Sequence, residues 1–207
     1  MPDPRGTPPH GLLAAGGDLA PGTLLAAYRA GVFPWPDPTG RLFWWSPDPR
    51  AVLPLDGFHA SRSLRRIRRQ GRFRTTRDQA CDAVIDGCAG GRDDGTWITP
   101  AVRAGYLELH ALGWVHSIEV WRGEQLAGGL YGVAIGGFFA AESMFHRERD
   151  ASKVALAVLV EHLRARGFTL LDVQLPTPHL ASLGVITIPR DEYLVRLDRA
   201  LATPAAW

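Results

Sequence analysis

The chain has 207 residues with 46% hydrophobic content, two cysteines and a formal net charge of +2. It has no apolar run of about eighteen residues and no charged-then-apolar leader, which argues against a membrane or exported protein and predicts a cytoplasmic one. Cys81 and Cys88 form no CxxC pair, so we expect buried thiols rather than a zinc site.

The first fifty residues predict a small N-terminal domain. The stretch GTLLAAYRAG, residues 22–31, suits a short helix that glycine ends. The following FPWPDPTGRLFWWSPDPR is dense in proline and tryptophan, which predicts a rigid, aromatic-lined loop region. We place a domain boundary near Pro49, between residues 1–49 and a larger domain of residues 50–207.

The next segment is strongly cationic. SRSLRRIRRQGRFRTTR, residues 61–77, carries eight arginines and no acid and predicts a helix with Ser61 as N-cap and Gly71 as terminator. Like charges on adjacent turns repel, and a guanidinium forks onto phosphate, so this helix favours phosphate or nucleic-acid binding over a merely solvated face. The candidate contacts are Arg62, Arg65, Arg66, Arg68, Arg69 and Arg72.

The remaining pattern predicts helices at about 77–88 and 100–112, and then a change to period two. HSIEVWR, QLAGGLYGVAI and GFFAAESMF read as three strands with short links, which indicates an antiparallel meander. A long helix, DASKVALAVLVEHLRARG, precedes the strands LLDVQL and VITI and a final helix at about 190–201. The predicted fold is mixed α/β, of the α+β class.

Three polar residues lie in the apolar strands. Glu142 falls in FFAAESMF, and Asp172 and Gln174 fall two apart in LLDVQL, so that they would share one face of a strand. A buried carboxylate is costly unless it is paired. The residues alone therefore leave two readings equally open, a satisfied buried network or a ligand pocket.

Four tryptophans, Trp35, Trp44, Trp45 and Trp97, stand in loop-like contexts. Flat rings beside a cationic track could stack on unpaired bases, and packing under long loops is the equally open alternative. The sequence has no GxxxxGK[ST], HExxH or GxSxG motif, so nucleotide hydrolysis, zinc proteolysis and serine hydrolysis have no motif to support them.

Eight motifs in order resemble those of the bacterial leucyl/phenylalanyl-tRNA-protein transferases. They are GLLAAGGDL, GVFPW, WWSPDPR, GTWITP, SIEVW, GGLYGV, AESMF followed by ASK, and DVQLPTPHLASLG. The resemblance implies an enzyme that transfers leucine or phenylalanine, with methionine as a further candidate, from aminoacyl-tRNA to proteins beginning with Arg or Lys. The products are marked for degradation by the N-end rule. It also implies an acetyltransferase-like (GNAT) C-terminal domain, no metal and no cofactor.

The resemblance also implies site residues. It places the catalytic groups on Asp172, Gln174 and Glu142. It places the pocket for the leucine or phenylalanine side chain on Leu130, Phe139, Leu159 and Leu171, and it places the terminal adenosine near Trp35 and Trp97. In a flat strand Leu171 and Phe139 have the parity opposite to the acids, so this assignment needs a bulge or a splayed sheet.

One departure and two rivals accompany the resemblance. Thr177 stands where the family commonly has asparagine. The rivals are an acyl-CoA-dependent N-acetyltransferase and a non-catalytic RNA-binding module. The stretch HRERDASK carries no glycine for a pyrophosphate loop, which counts against the first, and the second leaves the three polar strand residues unexplained. We expect a monomer.

Overall fold

The computed structural model describes residues 2–90 and 95–207, and within them the chain is mixed α/β, as predicted. The strands are β1 (Leu12–Ala15), β2 (Phe33–Pro34), β3 (Phe43–Trp45), β4 (Arg50–Val52), β5 (Arg74–Arg77), β6 (Val115–Arg122), β7 (Gln125–Ile135), β8 (Phe138–His146), β9 (Leu170–Gln174) and β10 (Ile186–Ile188). The helices are α1 (Pro21–Arg29), α2 (Arg62–Arg69), α3 (Cys81–Ala89), α4 (Pro100–Ala111), α5 (Ala151–Ala165), α6 (Pro178–Ala181) and α7 (Arg190–Ala202).

The proline- and tryptophan-rich segment differs from its prediction. The sequence predicts a loop region, but β2 and β3 pair antiparallel, and β3 pairs with β1 on its other side to make a three-stranded sheet. The turn between them is closed by Asp37, whose Oδ1 accepts hydrogen bonds from the N–H groups of Thr39 at 2.8 Å and Arg41 at 3.0 Å. Proline density therefore shortens these strands without preventing them.

The larger sheet has the strand order β10-β4-β9-β8-β7-β6-β5. The predicted meander is confirmed as β6-β7-β8, all antiparallel, whereas β8 and β9 are parallel neighbours joined through α5. Their pairing covers only three pairs, from Phe138 with Leu170 to Ala140 with Asp172. Beyond Ala140 and Asp172 both strands continue without pairing to each other, and we call this opening the β8–β9 gap.

Besides β2 and β3, the sequence also failed to predict β1, β4 and β5. Residues 74–77 form β5 at the edge of the sheet beside β6, and α3 begins only at Cys81 rather than near residue 77. The sequence RTTR does not show the alternation of apolar and polar residues that predicts a strand, because its residues on both faces are polar. Cys81 and Cys88 are buried as expected, and burial raises the pKa of the Cys81 thiol to about 12.

Two apolar cores lie on opposite faces of the larger sheet. One face is covered by α1, α3, α4 and α7, and we call it the four-helix face; the other is covered by α2 and α5, and we call it the α5 face. Alternate residues of each strand supply the two cores: in β9, Leu170 packs with the four-helix face and Leu171 with the α5 face.

The arginine-rich helix forms as predicted. Ser61 caps α2 by accepting the Leu64 N–H at 3.2 Å, and Leu64 and Ile67 are buried. The long helix α5 ends before Gly167, which has a positive φ of 78°. No helix among residues 2–90 and 95–207 is long and apolar enough to cross a membrane.

Candidate active site

Asp172 lies at the centre of a buried ion pair. Its Oδ1 accepts the Nε–H of Arg50 at 2.9 Å and its Oδ2 accepts an Nη2–H of Arg50 at 2.7 Å, with the side chains 0% and 1% exposed. The Tyr193 hydroxyl donates to Oδ2 at 3.0 Å. Arg50 belongs to β4, which neighbours β9 in the sheet, so the pair is set by strand pairing. Both oxygens of this carboxylate are therefore engaged within the fold.

Arg50 is fixed from several other sides. Its Nη1 donates to the Gly31 carbonyl at 3.1 Å, and its guanidinium lies 4.8 Å from the centre of the Phe33 ring and 4.5 Å from that of Tyr193. The sequence reasoning missed Arg50 and Tyr193. One feature of the sequence could have indicated this ion pair: Arg50 precedes the apolar run AVL, and its positive charge could balance the single acid of LLDVQL.

Gln174 ends β9 in an uncommon backbone conformation. Its φ is 57°, in the left-handed region, and the register of β9 against β4 shifts at this point. The Gln174 N–H donates to Asp172 Oδ1 at 3.0 Å. Among the described residues no group is within hydrogen-bonding distance of its buried side-chain Nε2. Asp172 thus holds the backbone of Gln174 and leaves the amide side chain available.

Glu142 occupies a bulge in β8. Tyr131 pairs with Ser143 and Gly132 with Ala141, so Glu142 is the extra residue between them. The Tyr106 hydroxyl donates to Glu142 Oε2 at 2.9 Å. The other carboxylate oxygen, Oε1, is buried and has no hydrogen-bond partner among residues 2–90 and 95–207. The bulge therefore aims a carboxyl group with one unused oxygen at the four-helix face.

The pKa of Glu142 is raised to about 7. Burial is the main cause and the charge of Asp172 adds to it, while hydrogen bonding from Tyr28 and Tyr106 and the charge of Arg50 act in the opposite direction. The hydroxyls of Tyr28 and Tyr106 are themselves 2.5 Å apart. This carboxyl therefore keeps its proton to a higher pH than an ordinary glutamate does.

An aromatic row runs from Glu142 to the surface. Tyr106 meets Trp97 edge to face at a centroid distance of 6.4 Å, and Trp97 stacks on Trp35 at 5.3 Å with an interplanar angle of 22°. Trp97 is buried and Trp35 is 39% exposed. The two tryptophans assigned to the adenosine thus lie together and connect with the predicted acid.

Beside Trp35 lies an apolar cavity of about 240 Å³. Its lining includes Trp45 and Leu175, the residue that follows Gln174, so it opens next to the catalytic candidate. Trp44, in contrast, is 3% exposed and belongs to the core, where its Nε1–H donates to the Gly16 carbonyl at 2.8 Å. Of the tryptophans weighed as base platforms, Trp44 is therefore a packing residue.

The four residues assigned to the side-chain pocket lie on the other side of the sheet. Leu130, Phe139, Leu159 and Leu171 are at most 1% exposed and belong to the core on the α5 face. Phe139 and Leu171 lie on the sheet face opposite to that of Glu142 and Asp172, as their positions in the strands predict. The β8–β9 gap and the bulge supply the splayed geometry that such a pocket needs, and the assignment itself stays a prediction.

The predicted arginine contacts divide into two groups. Arg68 makes two hydrogen bonds to Glu161, at 2.5 and 2.6 Å, and Arg72 donates to Glu148 at 2.9 Å. The others are exposed and form no ion pair within the described ranges; they are Arg62, Arg65, Arg66 and Arg69. We call these four the open arginines.

Thr177 has a structural role where the family commonly has asparagine. Its hydroxyl caps α6 by accepting the Leu180 N–H at 3.1 Å. In the part of the chain that the structure describes, no group of three or more His, Cys, Asp or Glu side chains is arranged to hold a metal ion.

Solved structures resemble the chain only weakly. A GCN5-related N-acetyltransferase from Kribbella flavida covers 81% of this chain and 60% of its own, with a TM-score of 0.44 and 10% identity. L-PGS from Bacillus licheniformis covers 65% and 48%, with a TM-score of 0.44 and 11% identity.

Sequence comparisons are much stronger. The family model described as leucyl/phenylalanyl-tRNA protein transferase matches residues 52–198, and that of its N-terminal domain matches residues 17–48. Curated proteins named leucyl/phenylalanyl-tRNA--protein transferase are 54% identical in Shewanella denitrificans, covering 92% of this chain and 82% of the relative, and 54% identical in Stutzerimonas stutzeri, covering 96% and 88%. A third, from Salmonella typhimurium, is 50% identical over 100% of this chain and 89% of the relative. The chain belongs to the leucyl/phenylalanyl-tRNA protein transferase family.

Proposed function

We propose that this protein transfers leucine or phenylalanine from aminoacyl-tRNA to the N-terminal amine of acceptor proteins. The observation that carries the proposal is its family membership over nearly the whole chain. The acceptors would begin with Arg or Lys and be marked for degradation by the N-end rule, and methionine is a further donor amino acid to test. We also propose that it acts as a monomer in the cytoplasm.

The reaction is aminolysis of an ester. The acceptor nitrogen attacks the ester carbonyl, a C–N bond forms, the C–O bond to the terminal ribose breaks, and the amine proton ends on the ribose oxygen. An α-amine has a pKa near ~8, so a useful fraction is neutral at cytoplasmic pH. Positioning of the amine against the carbonyl can therefore supply much of the rate.

Gln174 is the group we place beside the reacting atoms. An amide is too weak a base to deprotonate the amine, but its carbonyl oxygen can accept a hydrogen bond from the attacking nitrogen. Its buried Nε2 has no partner among the described residues, so the fold does not hold this end of the amide group, which is available to a ligand. Asp172 acts as a positioning residue, since it holds the Gln174 backbone and is itself neutralised by Arg50.

Glu142 is the group we place on the α-amino group of the donor. Its Oε1 is unused, and it is anchored through Oε2 by Tyr106, so its orientation is fixed before the ligand arrives. With a pKa of about 7 it can bind an ammonium group as a carboxylate, and the bound cation would lower that pKa.

The donor's other parts would contact two regions. Trp35 and Trp97 would lie near the terminal adenosine, and the exposed face of Trp35 supports this. The donor side chain would pass through the β8–β9 gap toward Leu130, Phe139, Leu159 and Leu171.

The open arginines are proposed to hold the backbone of the tRNA. Replacing Arg65, Arg66 and Arg69 with glutamine should weaken tRNA binding and flatten its salt dependence, by a slope of about 0.7 to 0.9 for each phosphate that is no longer neutralised. Arg68→Gln is the matched control, because Glu161 already neutralises Arg68. The proposal that the open arginines bind tRNA would be contradicted if the triple and control variants weakened tRNA binding equally. It would also be contradicted if the triple variant left the salt dependence of binding unchanged.

The function is tested by mixing the protein with Leu-tRNA labelled in leucine and a peptide that begins with arginine, in parallel with labelled acetyl-CoA. We expect label in the peptide from the tRNA alone. Label from acetyl-CoA would favour the acyl-CoA-dependent N-acetyltransferase, and tRNA binding without transfer would favour the RNA-binding module. A peptide beginning with glutamate is the acceptor control.

A further inference from the structure

A second cavity, of about 410 Å³, lies at the N-terminus of α5, and we call it the α5 cavity. β8 contributes Met144 and His146, two and four residues beyond Glu142, and α6 contributes His179, five residues beyond Gln174. Since these strands flank the β8–β9 gap, the cavity lies at the open end of that gap. At about 3.3 Å per strand residue, its β8 wall is about 7 to 13 Å from Glu142 along the strand.

Ser152 lines this cavity with an unexplained hydroxyl. The residue is 6% exposed, and no group among residues 2–90 and 95–207 forms a hydrogen bond with its Oγ. Other hydroxyls at helix starts are used within the fold: Ser61 caps α2 and Thr99 caps α4. A hydroxyl that lines a cavity and forms no hydrogen bond within the described residues is available to a ligand atom there.

The start of α5 is also without a side-chain cap. Asp150 occupies the cap position with a φ of 73°, but its carboxylate accepts from Lys153 Nζ at 3.1 Å instead of from the N–H groups of the first turn. The Ala151 N–H donates to the Glu148 carbonyl at 3.1 Å, so the first-turn N–H groups that remain for a ligand are those of Ser152 and Lys153, at the positive end of the helix dipole.

The charges around the cavity are mainly basic. Lys153 and Arg149 lie 3.1 and 3.7 Å from the one lining carboxylate, that of Asp150, and His146 and His179 complete the lining. Lys153, His146 and His179 line the same cavity, and burial lowers the pKa of His179, with the charges of Lys153 and His146 lowering it further. Lys153 is the single lysine among 23 Lys and Arg residues. A compact ammonium suits an anion in a confined site.

We propose that the α5 cavity binds a backbone phosphate of the unpaired 3′ end of the aminoacyl-tRNA. The Ser152 hydroxyl, the first-turn N–H groups of α5 and the Lys153 ammonium donate to the phosphate oxygens, and His179 lies at the rim. This inference rests on the proposed function and deepens it, since it names the part of the donor that the cavity recognises. The distance along β8 from Glu142 suits a phosphate one or two nucleotides from the ester.

The test compares two small leucine donors that differ in their number of phosphate groups. The leucyl ester of adenosine has none, and the leucyl ester of the trinucleotide CCA has two internal phosphates. We expect Lys153→Gln to raise KM for leucyl-CCA about 10-fold and Ser152→Ala about 3-fold, because charge-assisted hydrogen bonds are lost. The same variants should leave kcat, and KM for leucyl-adenosine, unchanged. Arg199→Gln, which removes an exposed cation of α7, is the matched control.

Folding and binding controls keep the outcome interpretable. Ser152→Ala removes a hydroxyl without a partner, so its melting temperature should be unchanged or higher while its affinity for deacylated CCA falls. Inorganic phosphate should compete with leucyl-CCA in the wild type, and this competition should be lost in Lys153→Gln.

Three results would overturn the proposal. The first is an equal loss with both donors, which would make these residues structural. The second is competition by inorganic phosphate without any difference between the donors, which would indicate a free-anion site. The third is an effect that depends on acidic side chains of the acceptor peptide. Lys153-dependent binding of CCA in a protein that transfers no leucine would support the phosphate site and contradict the proposed function.

Discussion

Two acids on the same face of the sheet have opposite surroundings. Asp172 is 0% exposed and fully paired by Arg50 and Tyr193, whereas Glu142 is held through one oxygen by Tyr106 and has the other unused. Pairing holds the first carboxyl in place. Burial is the main cause that raises the pKa of the second to about 7. The difference separates a group that builds the site from one that is free to bind a ligand.

The largest expected effect is on the Asp172 side. Arg50→Met should lower the free energy of unfolding by about 3 to 5 kcal/mol, because it leaves a buried carboxylate unpaired. Urea denaturation measures this. Arg196→Met, which breaks the exposed pair with Glu192, is the control and should cost less than about 1 kcal/mol.

A double variant sharpens the same prediction. Combining Arg50→Met with Asp172→Leu removes both charges, so most of the lost stability should return while transfer stays low. If the double variant is as unstable as Arg50→Met alone, the lost stability comes from packing. The unpaired charge of Asp172 would then not be its cause.

Gln174→Ala should reduce the single-turnover transfer rate about 10²- to 10³-fold while the tRNA dissociation constant changes less than about 2-fold, since the side chain contacts the reacting atoms. Asp172→Asn should also slow transfer more than it weakens tRNA binding, but with a loss of stability that Gln174→Ala lacks. Parallel losses of rate and tRNA affinity in both variants would remove Gln174 from the chemistry.

Because of Glu142, we expect the free energy of unfolding to depend on pH. Its carboxyl keeps its proton in the folded chain up to a pKa of about 7, while the unfolded chain loses it near 4.5. The unfolded state is therefore favoured as the pH rises between these values, by about 3 kcal/mol, and the loss of stability levels off above pH ~7. Glu142→Gln, which stays neutral, should lack this loss when urea denaturation is compared at pH 5 and pH 8.

The smallest effect is expected from Tyr106→Phe. It removes a hydrogen bond that favours the charged form of Glu142, so the pKa of this carboxyl should rise further, by about one unit. The acidic limb of the pH–rate profile for transfer should therefore move to higher pH. Tyr193→Phe, which removes a hydrogen bond to Asp172, is the control and should leave that limb in place.

The sequence predicts the elements better than the site. Periodicity located the meander, α5 and β9, and the family resemblance assigned Glu142, Asp172 and Gln174 to the site, an assignment that stays a prediction. It could not pair Asp172 with Arg50, because they are 122 positions apart and meet only when β4 enters the sheet beside β9. The bulge at Glu142 and the positive φ of Gln174 were equally inaccessible, since both depend on the register of neighbouring strands.

The contacts of Arg50 and Tyr106 also bear on whether the chain is separable into parts. The Gly31 carbonyl that receives Arg50, the Phe33 ring below it and the Tyr28 hydroxyl beside Tyr106 all precede the predicted boundary near Pro49. A fragment that starts at residue 50 would carry all the proposed catalytic groups and lack their supports. The two parts should accordingly melt in one cooperative transition, because the N-terminal residues supply part of the packing and hydrogen bonding that holds the site.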